Sequence, residues 1–334
     1  MRRKTLSLLI FTLLTGLILS GCSGKRDSSS KVTHVTLNEV AHSIFYAPQY
    51  VAIEKGYFKE EGIDLELVTG FGADKVLTSL ISGEADIGFM GGESSIYAYL
   101  EGANDVITNF AQLTQRAGNF LVSRQKEPDF TWEDIKGKDV LGGRKGGMPE
   151  MVFEYVLKQN NIDPFKDLDI NQSIDFGSTA AAFSGGSGDY TVEFEPSATA
   201  LEEEGDGYVV ASLGTDSGYV PYTSYSAKSS YIKDHPEIIQ SFTNALQKGM
   251  DYVQNHTPEE IAKVIAPQFK ETKLETITTI VKRYYDQETW KSDLIYEKES
   301  FELLQDILES SKELSRRAPY DKLVTTKYAK EAVR

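Results

Sequence analysis

Two stretches of the chain alternate short β-branched strands with helices in the same rhythm, and this confines the fold to α/β architectures. In the first, Val32 to Leu37 reads as a strand, Pro48 to Lys55 as a helix stopped by Gly56, and Asp64-Leu65-Glu66-Leu67-Val68 as a strictly alternating strand. A helix over Asp74 to Ser82, stopped by Gly83, and a strand over Ala85 to Met90 complete it. The rhythm restarts after Pro128: a short helix at Trp132 to Ile135, a strand at Lys138 to Leu141, a helix at Pro149 to Gln159 and a strand at Asp167 to Ile170. A helix at Thr179 to Phe183 and a strand at Tyr190 to Phe194 follow. Leu80-Ile81-Ser82-Gly83-Glu84-Ala85-Asp86-Ile87 is echoed by Ala182-Phe183-Ser184-Gly185 and Gly188-Asp189-Tyr190-Thr191, which fits a true repeat and chance equally well. From Pro236 onward only helical periods appear, over Glu237 to Asn255, Pro258 to Ile265, Leu274 to Tyr285 and Glu297 to Ser310. Such helices are expected to pack on lobes already built, each a mostly parallel sheet.

The first residues carry Arg2, Arg3 and Lys4 and then an apolar run, Leu6 to Leu19, short for a membrane-spanning helix. The expectation is a secretory signal over 1–21. Leu19-Ser20-Gly21-Cys22 resembles a bacterial lipobox, so Cys22, the only cysteine, is the expected site of lipidation and membrane anchoring. Residues 22–31 are polar and serine-rich, suited to a flexible tether. About 300 residues remain, more than one core usually serves, which favours two lobes. The formal charge of −15 argues against a nucleic-acid partner.

One long segment carries a family signature. Ala47-Pro48-Gln49-Tyr50-Val51-Ala52-Ile53-Glu54-Lys55-Gly56-Tyr57-Phe58-Lys59-Glu60-Glu61-Gly62-Ile63-Asp64 resembles the opening motif of solute-binding proteins that serve importers of thiamine-pyrimidine precursors, alkanesulfonates, taurine and nitrate. The likeness continues through Leu80 to Gly88, Trp132-Glu133-Asp134-Ile135-Lys136-Gly137-Lys138 and Glu195-Pro196. It implies a two-lobed type 2 periplasmic-binding-protein fold, with crossings near Ser123 to Glu127 and near Tyr219 to Tyr225. Lobe I would then be 32–124 with 221–334, and lobe II 125–220. It further implies a monomeric, extracytoplasmic lipoprotein that is not an enzyme, uses no cofactor or metal, and hands a small molecule to an ABC permease and its ATPase. A ligand sensor or surface adhesin on the same fold is the alternative class. Enzymatic relatives of the family need an iron site and a cysteine-rich motif, and this sequence has one cysteine.

Ligands of open α/β sheets bind beyond the carboxyl ends of the strands. That rule selects Asn38, His42 and Tyr46 after the first strand, Gly91, Gly92, Glu93 and Ser94 after the third, and Arg144, Gly146, Gly147, Glu193 and Glu195 in the second half. Each has a plainer reading. Tyr46 and Phe45 could pack beneath the first helix, His42 could be a surface residue, Gly91-Gly92 a tight turn, Glu93 a helix-start carboxylate, and Arg144-Lys145-Gly146-Gly147 a solvated basic turn. Aromatic residues and carboxylates together suit a nitrogenous heteroaromatic ligand such as a thiamine-related pyrimidine. Arg144 and Ser94 suit a sulfonate or similar oxyanion instead.

Overall fold

The computed structural model describes residues 32–175 and 177–333. The expected signal segment 1–21, the tether 22–31 and the lipid site Cys22 lie outside the described residues. Among the described residues ten strands form two five-stranded sheets. The first joins β1 (Thr33–Glu39), β2 (Ile63–Thr69), β3 (Ile87–Met90), β4 (Ile107–Thr114) and β10 (Thr223–Lys228) in the order β2-β1-β3-β10-β4. The second joins β5 (Asn119–Ser123), β6 (Asp139–Leu141), β7 (Asp169–Asn171), β8 (Tyr190–Phe194) and β9 (Tyr208–Ser212) in the order β7-β6-β8-β5-β9. The two orders are built alike. Within each, β10 or β5 alone runs against its neighbours, and it is the strand that follows directly on a crossing from the other sheet.

Strand pairing puts the first crossing between Thr114 and Asn119, earlier than the expected Ser123 to Glu127, because β5 is already hydrogen-bonded to β8 and β9. The second falls between Ser212 and Thr223 and overlaps the expected Tyr219 to Tyr225.

Local chemistry explains the helix ends that frame these strands. Gly83 and Gly205 adopt left-handed conformations (φ 82° and 79°) that end the Ala73–Ser82 and Ser197–Glu204 helices. Thr257 and Glu260 form a reciprocal capping box at the start of the Pro258–Ile265 helix. The Pro236–Asn255 helix lies so close to Ala47–Glu54 that a Cβ on Gly249 would sit 2.3 Å from the Pro48 carbonyl oxygen, so only glycine permits that approach. Phe110, Tyr225 and Phe242 fill the space between this helix and the first sheet. Among the described residues no helix is long and apolar enough to cross a membrane.

Candidate functional site

The loops that leave the carboxyl ends of β1, β2, β3, β6 and β8 converge between the sheets, where two adjoining cavities share Pro149 and Phe194 as walls. The first, about 530 Å3 with its open mouth, is lined by Tyr46, Gly91, Glu93, Arg144, Gly147, Met148, Phe194 and Tyr222, among others. The second, about 740 Å3 with its mouth, is bounded by His42, Phe71, Glu193 and Glu195. Seven of the twelve residues expected from sequence thus meet the first cavity or the second through Tyr46, Gly91, Glu93, Arg144, Gly147, Glu193 and Glu195, and His42 makes an eighth. Asn38, Gly92, Ser94 and Gly146 stand behind the walls. Asn38 donates to Ser79 Oγ (2.9 Å), and the Ser94 N–H donates to the Gly91 carbonyl (3.2 Å). Gly92 faces the Tyr296 hydroxyl, and the Gly146 carbonyl accepts from Tyr97 (3.1 Å).

Glu93 begins the Glu93–Leu100 helix, is 2 % exposed, and curls back over Gly91, where a Cβ would lie 2.0 Å from Oε2. Among the described residues that Oε2 has no hydrogen-bond partner, and neither has the buried hydroxyl of Tyr296. Burial pushes the Glu93 carboxyl up to about 7, opposed by its own N–H and by the charge of Arg144. Tyr46 lines the same cavity, its ring 4.4 Å from Phe89 and 5.2 Å from Phe45. Phe45 is core, touching Phe194 and Tyr222 from behind and giving its carbonyl to Trp290 Nε1 (2.8 Å). An apolar, aromatic cavity therefore has in its wall one carboxylate with an oxygen that nothing among the described residues satisfies.

Glu193 repeats the arrangement in the second cavity. Burial pushes it up to about 7, while hydroxyl groups of Thr191 (2.6 Å) and Thr179 favour its charged form. Glu195 differs because Arg283 Nη1 lies 2.8 Å from Oε1 and Thr199 donates to both oxygens. His42 is also committed: Nδ1 meets Glu39 Oε1 (2.8 Å) and Nε2 meets the Gln268 carbonyl (2.9 Å). Both neighbours are acceptors, and that pairing favours the protonated ring. Burial lowers its pKa, yet Glu39 and Gln268 together raise it above 6.5. Arg144 reaches Asp74 across the cleft at 3.4 Å and is half exposed. Among the described residues no cluster of three or more His, Cys, Asp or Glu is arranged to hold a metal ion.

Glu93, Glu193 and His42 all bind protons more tightly in the fold than in the unfolded chain, so all three make stability fall as pH rises. For the acids the fall begins above 4.5 and is complete beyond about 7, and each accounts for up to ~3 kcal/mol. For His42 the contribution is full below 6.5 and lost above its raised folded value. Ligand-free protein should melt several degrees lower at about pH 8.5 than at about pH 5.5. Replacing both acids by Gln should shrink that difference in a calorimetric scan, leaving the part that His42 and the likewise raised, buried Glu150 and Glu195 contribute, and a midpoint indifferent to pH would contradict the burial argument.

Sequence reasoning missed Tyr222 and Phe71 as wall residues, whereas Met148 and Phe194 lie within the loops Gly142 to Met148 and Glu193 to Glu195 that the strand-end rule selects, without having been singled out there. Tyr222 needs the crossing to be placed first.

A cleft between two like sheets, walled by strand-end loops from both, defines a two-lobed protein of the type 2 periplasmic-binding-protein fold. Residues 44–261 match the family model described as NMT1/THI5 like, and the chain belongs to that family. Over 300 residues it is 46% identical to YtlA of Bacillus subtilis (strain 168), whose name describes a binding protein, covering 90% of each chain. The fold is similar to that of the alkanesulfonate-binding protein SsuA from Xanthomonas axonopodis pv. citri, with a TM-score of 0.71, 16% identity, and coverage of 88% of this chain and 98% of that one. It is also similar to the periplasmic nitrate-binding protein NrtA from Synechocystis PCC 6803, with a TM-score of 0.71, 15% identity, and coverage of 91% and 89%.

Proposed function

We propose that this chain is the substrate-binding component of an ABC-type importer and that its cleft takes a flat nitrogen heterocycle with amino N–H donors, such as a thiamine-related pyrimidine. The observation that carries the ligand class is Glu93, a buried carboxylate with an unsatisfied oxygen in the wall of an aromatic cavity. A donor-bearing ring satisfies that oxygen and stacks on tyrosine or phenylalanine faces. A sulfonate keeps its negative charge and would be repelled by Glu93 and Glu193 wherever those carboxyls are ionised, increasingly so above about pH 7. The oxyanion reading retains Arg144 and Gly147 in the wall, but Arg144 already faces Asp74.

A thermal-shift screen against aminopyrimidines, alkanesulfonates, nitrate and amino acids tests this reading. Ligand at about a thousand times its dissociation constant adds ~4 kcal/mol and should raise the midpoint by several degrees. A shift confined to sulfonates would overturn the ligand class.

Delivery to a permease needs the body outside the cytoplasm and held at the membrane, which is the role we assign to lipidated Cys22. Cys22→Ala should move the protein from the membrane pellet to the soluble extracytoplasmic fraction. Continued sedimentation with membranes would contradict the anchor.

A further inference from the structure

Gly70-Phe71-Gly72 links β2 to the Ala73–Ser82 helix at the lip of the cleft. Phe71 has φ 52° and is 57% exposed. A bulky residue in the left-handed region is a backbone outlier that glycine would occupy without penalty, and so exposed a ring returns little by burial. Strain of this kind persists at ligand clamps and switch segments, where position matters more than local comfort. The location fits: Gly72 lines the first cavity, and Phe71 lines the second opposite Gly143 and Pro196 of the other sheet's loops. Asn38 Oδ1 lies 2.9 Å from where a Cβ of Gly70 would stand, so the loop is seated tightly on β1 behind the exposed ring.

We propose that Phe71 is a ligand-covering residue, held in a strained backbone conformation at the mouth so that its ring closes onto the face of a bound heterocycle. This rests on the ring-ligand reading above and adds to it a residue that governs how slowly such a ligand leaves. The test compares parent protein, Phe71→Gly and Phe71→Tyr in midpoint and in affinity for a hydroxymethyl-aminopyrimidine. The glycine variant should melt at or up to ~3 °C above the parent, since the strain goes with the side chain. Its affinity should fall roughly 10-fold through faster dissociation, and the tyrosine variant should restore it. A glycine variant that melts several degrees lower would show the ring to be a packing element and overturn the proposal, as would unchanged affinity. If the parent does not bind the pyrimidine, the ligand class falls by itself. The midpoint then decides whether Phe71 is held against its backbone preference: at or above the parent supports the proposal, below overturns it.

Discussion

Glu93→Gln should weaken aminopyrimidine binding about 100-fold, on the order of 3 kcal/mol, while melting no lower than the parent at neutral pH. The two effects share one cause. In the folded protein Glu93 is desolvated with one oxygen unsatisfied, so its charge costs stability. Gln removes that charge without changing the volume. In the complex the same charge is what holds an amino group or a protonated ring nitrogen, and an amide cannot replace it. Titration calorimetry and a melting scan on the same two proteins check both halves. Parent-like affinity would detach Glu93 from recognition, and a much lower midpoint would make it a structural acid.

Arg283→Met should lower stability by about 3 kcal/mol, the cost of leaving a buried carboxylate without its partner. Arg283 belongs to the Leu274–Asp286 helix of the C-terminal segment, yet it reaches Glu195 and Glu202 beside β8 and β9, 2.8 Å from each. Burial raises the Glu195 carboxyl, and the charge of Arg283 opposes that shift. Without the guanidinium the carboxyl rises further, so the folded state holds a proton that the unfolded chain releases above 4.5. The loss is therefore largest at alkaline pH and shrinks as pH falls toward that value. Denaturant titrations at two pH values measure it, and adding Glu195→Gln should recover most of the stability. A loss independent of pH would mean that packing, not charge, is what Arg283 supplies.

Strands with strict alternation, such as β2, and helices with glycine stops were legible in the sequence because burial on one face leaves a period. β4 and β10 left none. Both are buried along nearly their whole length, and β10 reads Thr-Ser-Tyr-Ser-Ala-Lys. Its polar side chains are tolerated at the sheet centre because neighbours pair with them, Thr223 with Thr114 (2.6 Å) and Ser224 with Asn109 (2.7 Å). Composition cannot reveal a strand whose polarity is cancelled across the ladder. The site divides in the same way. The rule that ligands sit beyond strand ends selected the loops, but which side chain faces the cleft depends on partners distant in sequence. His42 is held by Gln268, and Glu195 by Arg283, and neither partner can be read from the sequence around the residue it holds at the wall.

The most direct measurement is calorimetric titration of the protein with a hydroxymethyl-aminopyrimidine and, separately, with an alkanesulfonate, repeated on Glu93→Gln. The account predicts one-to-one binding of the pyrimidine to the parent, a loss of about two orders of magnitude in the variant, and no heat from the sulfonate. Saturable sulfonate binding that survives or improves in Glu93→Gln, with no response to the pyrimidine, would contradict it.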